Sequence, residues 1–357
     1  MGNSLLINLS FLINEPTGIT TYANNILPQL QQLEPTLLIS KERDSFNCYR
    51  IPDNMTPEQG SKGHWRRLLW TQFKLPKIYK NLKSRLLFSP LPEAPVFSGC
   101  RYVVTVHDLI PLRFSKPFSR LTAYFRYGVP LVLEQAEHIM CDSMATARDV
   151  TNFFNIPAEK ITVVPLAYDA ENFRFLDLPM QNYFLYIGRH DPYKNLHRLV
   201  KAFAGIPEGL DCELWIAGPK DGQYTPELVA HIEELGLTKR VRFLGYVAYE
   251  KLPVLINQAI ALVLPSLWEG YGLPLLEAMA CGTPAIASNR SSLPEVAGDA
   301  ALLIDPYNVG EITDAMQAII LQTSLRARLR ELGLARASQF SWAKTGQMAA
   351  EILQRYL

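Results

Sequence analysis

No two cysteines of this chain stand in CxxC spacing. Cys48, Cys100, Cys141, Cys212 and Cys281 are scattered and odd in number, which argues against a disulfide framework and against a zinc site, and favours a reducing, cytoplasmic setting. The chain also has no run of about 18 apolar residues, so no segment reads as a membrane span. Its first residues, Met-Gly-Asn-Ser-Leu-Leu-Ile-Asn, lack a basic stretch and a long apolar core and do not read as a signal peptide. Net charge is only +1, which leaves no global case for nucleic-acid binding. No GxGxxG follows the first strand-like run, which disfavours an NAD-dependent enzyme. No Asp-x-Asp is present to hold Mg²⁺, and no other metal site is expected.

What is present fits a globular protein of two domains. The chain has 357 residues, of which 48% are hydrophobic and 19% charged, enough for two sizeable cores. Strand-like runs at 5–9, 36–39, 86–89, 102–106, 138–141 and 161–164 alternate with helical patterns in the first half. Runs at 183–187, 212–217, 241–244, 259–264, 284–287 and 301–304 do so in the second. Such alternation implies parallel sheets with right-handed crossovers. Twelve strands exceed one ordinary doubly wound sheet, so two similar α/β domains are expected. The segment 165–181 reads as the linker, and the helix 342–357 has no strand after it. Charge divides unevenly. Residues 1–170 carry 18 Lys+Arg and 14 Asp+Glu, a net of +4, leaving 17 and 20, a net of −3, for the remainder.

The most informative stretch is Ser266-Leu-Trp-Glu-Gly-Tyr-Gly-Leu-Pro-Leu-Leu-Glu277. It follows an apolar run that reads as a buried parallel strand. Pro274 stands where a first helical residue would be. The amides of Gly272 and Leu273, at the helix start after the glycine-rich turn of Gly270 and Gly272, would then face the C-terminal mouth of a sheet, where open α/β folds bind anions and nucleotides. Glu269 falls on the loop, and Glu277 falls about one turn into the helix. The pair serves either as ligand contacts or as solvated loop and helix residues.

A second stretch breaks the pattern. Residues 61–85 carry eight basic side chains and no acidic one, with Leu68, Leu69, Trp70, Phe73, Leu75, Ile78, Tyr79 and Leu82 between them. A basic amphipathic segment can lie on an anionic membrane surface. The other reading is a helix that packs its aromatics on the core and solvates its lysines, and Pro76 breaks any long uniform face.

Several motifs occur in a fixed order. They are Gly18-Ile-Thr-Thr-Tyr22, Val106-His-Asp-Leu109, Cys141-Asp-Ser143, Gly188-Arg189 with Lys194, Trp215-Ile-Ala-Gly218, Val241-Arg-Phe-Leu-Gly-Tyr246, Glu269 with Glu277, Cys281-Gly-Thr-Pro284 and Leu293-Pro-Glu-Val-Ala-Gly298. Through them the chain resembles, over essentially its whole length, the retaining glycosyltransferases of the GT-B architecture, specifically family 4 (glycosyltransferase group 1). The stretches 70–76 and 107–114 look like those of bacterial mannosyltransferases. One departure is that Pro16-Thr17-Gly18 leaves a single glycine where the family usually has a pair in its first loop.

The resemblance implies an α/β fold of two Rossmann-like, doubly wound parallel-sheet domains facing a cleft. An acceptor-binding domain would cover 1–170, joined by the helix 342–357, and a nucleotide-sugar-binding domain would cover 171–341. It implies a retaining glycosyltransferase that needs no cofactor. Its donor would be a nucleoside diphosphate sugar, with GDP-mannose favoured and UDP-glucose or UDP-GlcNAc as alternatives, and its acceptor a hydroxyl of a glycan or lipid-linked glycan. Arg189 and Lys194 would hold the diphosphate and stabilise its growing charge. Glu277 would bind the ribose, and Glu269 would stand beside the transferred sugar. His107 would contact the sugar's 6-hydroxyl or the acceptor. Gly18 would let the first loop approach the diphosphate, with Thr20 or Thr21 capping the next helix, and Tyr246 would either stack on the base or simply pack. Displacement would occur on the front face, with the donor phosphate taking the acceptor proton. Two readings from other classes remain: a nucleotide-sugar hydrolase or epimerase, and a non-catalytic binding subunit.

Overall fold

The structure is a computed structural model and describes residues 5–13, 18–116 and 118–357. The chain divides into two compact units, Met1–Leu166 with Trp342–Leu357, and Ala167–Ser341. The first unit holds a seven-stranded sheet: β1 (Leu5–Asn8), β2 (Thr36–Ile39), β3 (Asn47–Arg50), β4 (Leu86–Ser89), β5 (Tyr102–Val106), β6 (His138–Cys141) and β7 (Ile161–Val163). Their order is β3-β2-β1-β4-β5-β6-β7, and every pair is parallel. The second unit holds six strands: β8 (Tyr183–Ile187), β9 (Glu213–Ala217), β10 (Val241–Gly245), β11 (Ala261–Leu264), β12 (Ala285–Ser288) and β13 (Leu302–Ile304). Their order is β10-β9-β8-β11-β12-β13, again all parallel.

The sequence explains these sheets. β1, β4 and β5 are buried at every position, and their continuous apolar runs are what a sheet covered on both faces requires. The thirteenth strand, β3, was not expected. It is an edge strand reading Asn-Cys-Tyr-Arg, mostly exposed, and so lacks the apolar run that marks the interior strands.

In each sheet the order reverses beside the first strand, between β1 and β4 and between β8 and β11. Connections leave to opposite sides there, which opens a crevice at the carboxyl ends of the strands. β8 runs out into Gly188-Arg189, and β11 runs out into the loop that carries Glu269. Glycine flattens this rim. Gly218, at φ +147°, follows β9, and a Cβ there would stand 1.9 Å from the carbonyl oxygen of Gly188. Only a residue without a side chain lets the two backbones meet this closely.

In the first unit, α1 spans Gly18–Leu30, so Thr20 and Thr21 lie inside the helix and do not cap it. The last helix, Trp342–Tyr356, belongs to this unit and packs on α1. The contact turns on Gly346, where an added Cβ would lie 2.5 Å from Cγ and 2.7 Å from Cβ of Gln29. Gly346→Leu is therefore expected to overpack the contact and lower stability by about 1–3 kcal/mol. A denaturant midpoint equal to that of the wild type would contradict this close approach.

Candidate active site

The loop after β11 is tied down from several directions. Ser266, fully buried, donates its hydroxyl to Glu269 Oε1 at 2.7 Å. The Glu269 amide donates to Ser291 Oγ at 3.0 Å. The Ser292 hydroxyl sits 3.1 Å from the Glu269 carbonyl oxygen and 2.8 Å from that of Tyr271. Ser291 has φ +56°, an uncommon conformation for a non-glycine residue that surrounding bonds must maintain.

A short turn, Pro192–Lys194, brings Lys194 to this loop. The Leu267 amide donates to the Tyr193 carbonyl at 2.7 Å. Asn195, left-handed at φ 64°, donates Nδ2 to the carbonyls of Pro265 and Pro306 at 3.0 and 2.7 Å. Lys194 Nζ thereby donates to both carboxylate oxygens of Glu269, each at 2.7 Å. The side chains are only 15% and 11% exposed. This is a near-buried ion pair, where removing one partner leaves an uncompensated charge. Tyr186 lies close by, and its hydroxyl is pushed well above its ordinary value by burial and then by the Glu269 charge.

Arg189 stands apart from that pair. Its side chain is 69% exposed and its Nε meets Asp191 Oδ2 at 3.0 Å. Its carbonyl accepts the Tyr186 hydroxyl at 2.7 Å, which fixes the backbone while the guanidinium reaches into solvent. Tyr246 follows Gly245 (φ +66°) and is 73% exposed.

The helix after the loop, Leu273–Ala280, starts at Leu273, so Pro274 is its second residue and not its first. Gly272 precedes it at φ +101°, and a Cβ there would meet Leu293 Cδ2 at 2.5 Å. The first amides of a helix have no intrahelical acceptor, so those of Gly272 and Leu273 point outward with the positive end of the helix dipole. Glu277 is partly buried, and its carboxyl is pushed up to about 8, first by burial and then by the nearby Asp169 charge. Asp169 is itself held by the amides of Glu171 and Asn172 at 3.0 and 3.3 Å.

In the first unit, His107 follows β5 directly. Its Nδ1 lies 2.7 Å from Asp142 Oδ2 and its Nε2 lies 2.9 Å from the Pro90 carbonyl oxygen. Burial alone would lower its pKa, but Asp142 and the Pro90 carbonyl outweigh burial, and the net shift is upward. Two acceptors on two nitrogens are satisfied only by the doubly protonated ring. Both ring nitrogens of His107 are thus engaged within the protein, by a carboxylate on one side and a carbonyl on the other. The Tyr22 ring packs edge-on against it at 4.9 Å, and Thr146 donates to its carbonyl at 3.1 Å. Gly18 is the exposed first residue of α1, with open space around it. The preceding residues 14–17, on which the first-loop expectation falls, lie outside the described residues.

The structure therefore unites Lys194 with Glu269, places Leu273 and Glu277 on the adjoining helix with Gly272 just before it, and leaves the side chains of Arg189 and Tyr246 exposed after β8 and β10 of the same sheet. Ser266, Ser291, Ser292, Asn195, Asp142 and Asp169 were given no role from sequence. Asp142 lies in the Cys141-Asp-Ser143 motif, but nothing local shows that it faces a histidine 35 positions earlier. Among the described residues no cluster of three or more His, Cys, Asp or Glu is arranged to hold a metal ion.

Two family models match the chain. Glycosyl transferases group 1 covers residues 169–335, and Glycosyltransferase Family 4 covers 16–172. The O-antigen chain mannosyltransferase B of Escherichia coli is 35% identical over 262 residues, covering 68% of this chain and 67% of the relative. The O-antigen chain mannosyltransferase RfbU of Salmonella typhimurium is 26% identical over 314 residues, covering 85% and 87%. Among solved structures, the HepE protein of Anabaena in complex with UDP and glucose superposes with a TM-score of 0.77 at 20% identity, covering 99% of both chains. That last likeness speaks for the fold alone.

A pH dependence follows from His107. Its raised pKa means that its charged contacts contribute fully below the unfolded value of about 6.5, and that this contribution is lost as pH rises through the folded value. Asp142→Asn removes the partner. The stability deficit of that variant should be largest below about pH 6.5 and shrink as pH rises through the raised folded value. Denaturation midpoints at several pH values check this, and a deficit that grows with pH would contradict a charged ring.

Proposed function

The chain belongs to the group 1 glycosyltransferases, and on that premise we propose that it moves mannose from GDP-mannose to a hydroxyl of a glycan or lipid-linked glycan with retention of configuration. It is a glycosyltransferase; the donor, the stereochemistry and the roles below are the proposal. The O-antigen mannosyltransferases among its relatives support the sugar.

The observation that carries the mechanism is the grip of Lys194 on both oxygens of Glu269. A diphosphate entering beside the Leu273–Ala280 helix competes for the ammonium with two or more negative charges. Lys194 shifts toward it, joined by the exposed fork of Arg189 and the first helical amides. Glu269 is then left ionised, with Ser266 still donating to it, beside the anomeric carbon. The bond between C1 and the phosphate oxygen breaks, and the acceptor oxygen bonds C1 on the same face. The acceptor proton passes to the departing phosphate, and GDP leaves. Lys194 and Arg189 stabilise the charge gathering on the leaving group, and Glu269 stabilises the positive charge gathering on the sugar.

Glu277 receives the ribose hydroxyls, and its environment makes that testable. With its carboxyl pushed up to about 8, the free protein at neutral pH holds a proton there. Hydroxyls donating to an ionised carboxylate favour its loss. Nucleoside diphosphate binding at about pH 7 should therefore release a proton through Glu277, beyond any contributed by the nucleotide itself. Calorimetry in buffers of differing ionisation enthalpy measures this release. Equal release by Glu277→Gln would remove the carboxyl from the ribose site.

Lys194→Ala should lower turnover about a hundredfold at saturating donor, as loss of one preorganised transition-state donor does. Because that variant strands Glu269, Lys194→Ala/Glu269→Gln provides a folded comparison, checked by its melting temperature. Near-normal release of GDP by both variants would refute the role. Thermal shift against GDP, UDP and ADP, followed by rates with the matching sugars, tests the donor. Stabilisation by UDP with none by GDP would replace GDP-mannose by UDP-glucose or UDP-GlcNAc.

A further inference from the structure

One helix of the first unit is built inside out. α2 (Gly60–Phe73) buries Gly63, Arg67 and Thr71, whereas Trp65, Leu69 and Phe73 are 47%, 55% and 66% exposed. Arg67 fixes this orientation. It donates Nε to Glu93 Oε2 at 2.6 Å, Nη2 to Glu93 Oε1 at 2.8 Å and Nη1 to the Met55 carbonyl at 3.1 Å. Rolling the helix to bury its aromatic stripe would break a buried bidentate ion pair, which is strongly unfavourable. At about 100° per residue, Lys62, Trp65, Arg66, Leu69 and Phe73 fall within a single arc of about 100°. All five are exposed, so the solvent face is apolar and cationic together.

The surroundings extend this character. α3 (Leu75–Asn81) follows immediately, with Lys74, Lys77 and Lys80 exposed around it. A hollow of about 490 Å³ at its foot is lined by Lys77, Lys80, Lys83, Ser84 and Ser98. His64 of α2 meets Tyr124 edge to face at 5.6 Å. Around Tyr124 the chain exposes Leu121 (48%), Tyr127 (69%) and Leu131 (39%), with Arg120 and Arg126 also exposed. Residues 61–132 contain thirteen Lys+Arg against two acids, Glu93 and Asp108. Glu93 is buried on Arg67, and Asp108 Oδ1 accepts the Ile110 amide at 2.9 Å.

We propose that this face of the first unit rests on an anionic lipid bilayer. The rings and Leu69 would enter between headgroups while the lysines and arginines meet lipid phosphates, the pattern of a helix lying in the interface plane. Charge selects this occupant. A second copy would bring two strongly positive faces together, which like-charge repulsion opposes. A nucleic acid would leave the apolar stripe in water. No helix of the described residues is long and apolar enough to cross a membrane, so the contact is peripheral. The inference stands on this surface alone and does not depend on the donor.

The test is sedimentation of the full chain with vesicles of phosphatidylcholine, with and without phosphatidylglycerol. Binding is expected only with phosphatidylglycerol, and it should fall steeply as salt rises to about 0.5 M. Trp65→Ser/Leu69→Ser/Phe73→Ser should lower the partition constant about tenfold or more, and Lys62→Glu/Arg66→Glu should weaken the preference for phosphatidylglycerol. The substituted side chains are exposed, so unchanged melting temperatures and nucleotide binding are expected of both variants. Absence of wild-type binding to phosphatidylglycerol vesicles at low salt would overturn the proposal. So would equal partition of the wild type and the triple variant. A dimer in ultracentrifugation that the triple variant abolishes, with no vesicle binding, would reassign the face to self-association.

Discussion

An ammonium and a carboxylate locked together almost out of water, Lys194 on Glu269, set the terms for the second unit. Such a pair is stable only if both charges keep their partners and the remaining lone pairs are satisfied. The surrounding chain meets that condition: Ser266 donates to the carboxylate, Ser291 and Ser292 hold the backbone on either side, and Asn195 ties the lysine turn to the glutamate loop. All of this is assembled at the ends of β8 and β11, where the strand order reverses. The sheet supplies the crevice, and the ion pair supplies a charge that a stronger anion can draw away.

The first unit solves a related problem with another residue type. His107 leaves β5 at the corresponding edge of its sheet, and its ring spans from the Pro90 carbonyl to Asp142. Neighbouring strand ends are thereby joined through one imidazolium. The ring is held beneath the rim by partners on both of its nitrogens.

Much of this was legible in the sequence, for definable reasons. Interior parallel strands announce themselves as apolar runs, and all twelve expected runs lie within two residues of an observed strand at both limits; the loop-helix junction at 266–277 was marked by its glycines and Pro274. What escaped notice was long-range. β3 has no apolar run because an edge strand needs none. Nothing in the sequence pairs Lys194 with a carboxylate 75 positions away, or His107 with Asp142. The basic segment 61–85 showed its composition, but not that Arg67 would turn inward and leave Trp65, Leu69 and Phe73 outside. A helical wheel sorts residues by angle, and only the buried Glu93 decides which side faces in.

The packing of the final helix on α1 at Gly346 has a consequence for the order in which the molecule comes into being. The second unit is one uninterrupted stretch, Ala167–Ser341, and all of it is translated before Trp342–Tyr356. The first unit, although begun earlier, lacks the partner for α1 until Trp342–Tyr356 has been made. The α1 flank therefore stays bare while the whole second unit is being translated, and the first unit closes only with residues encoded far from its other parts.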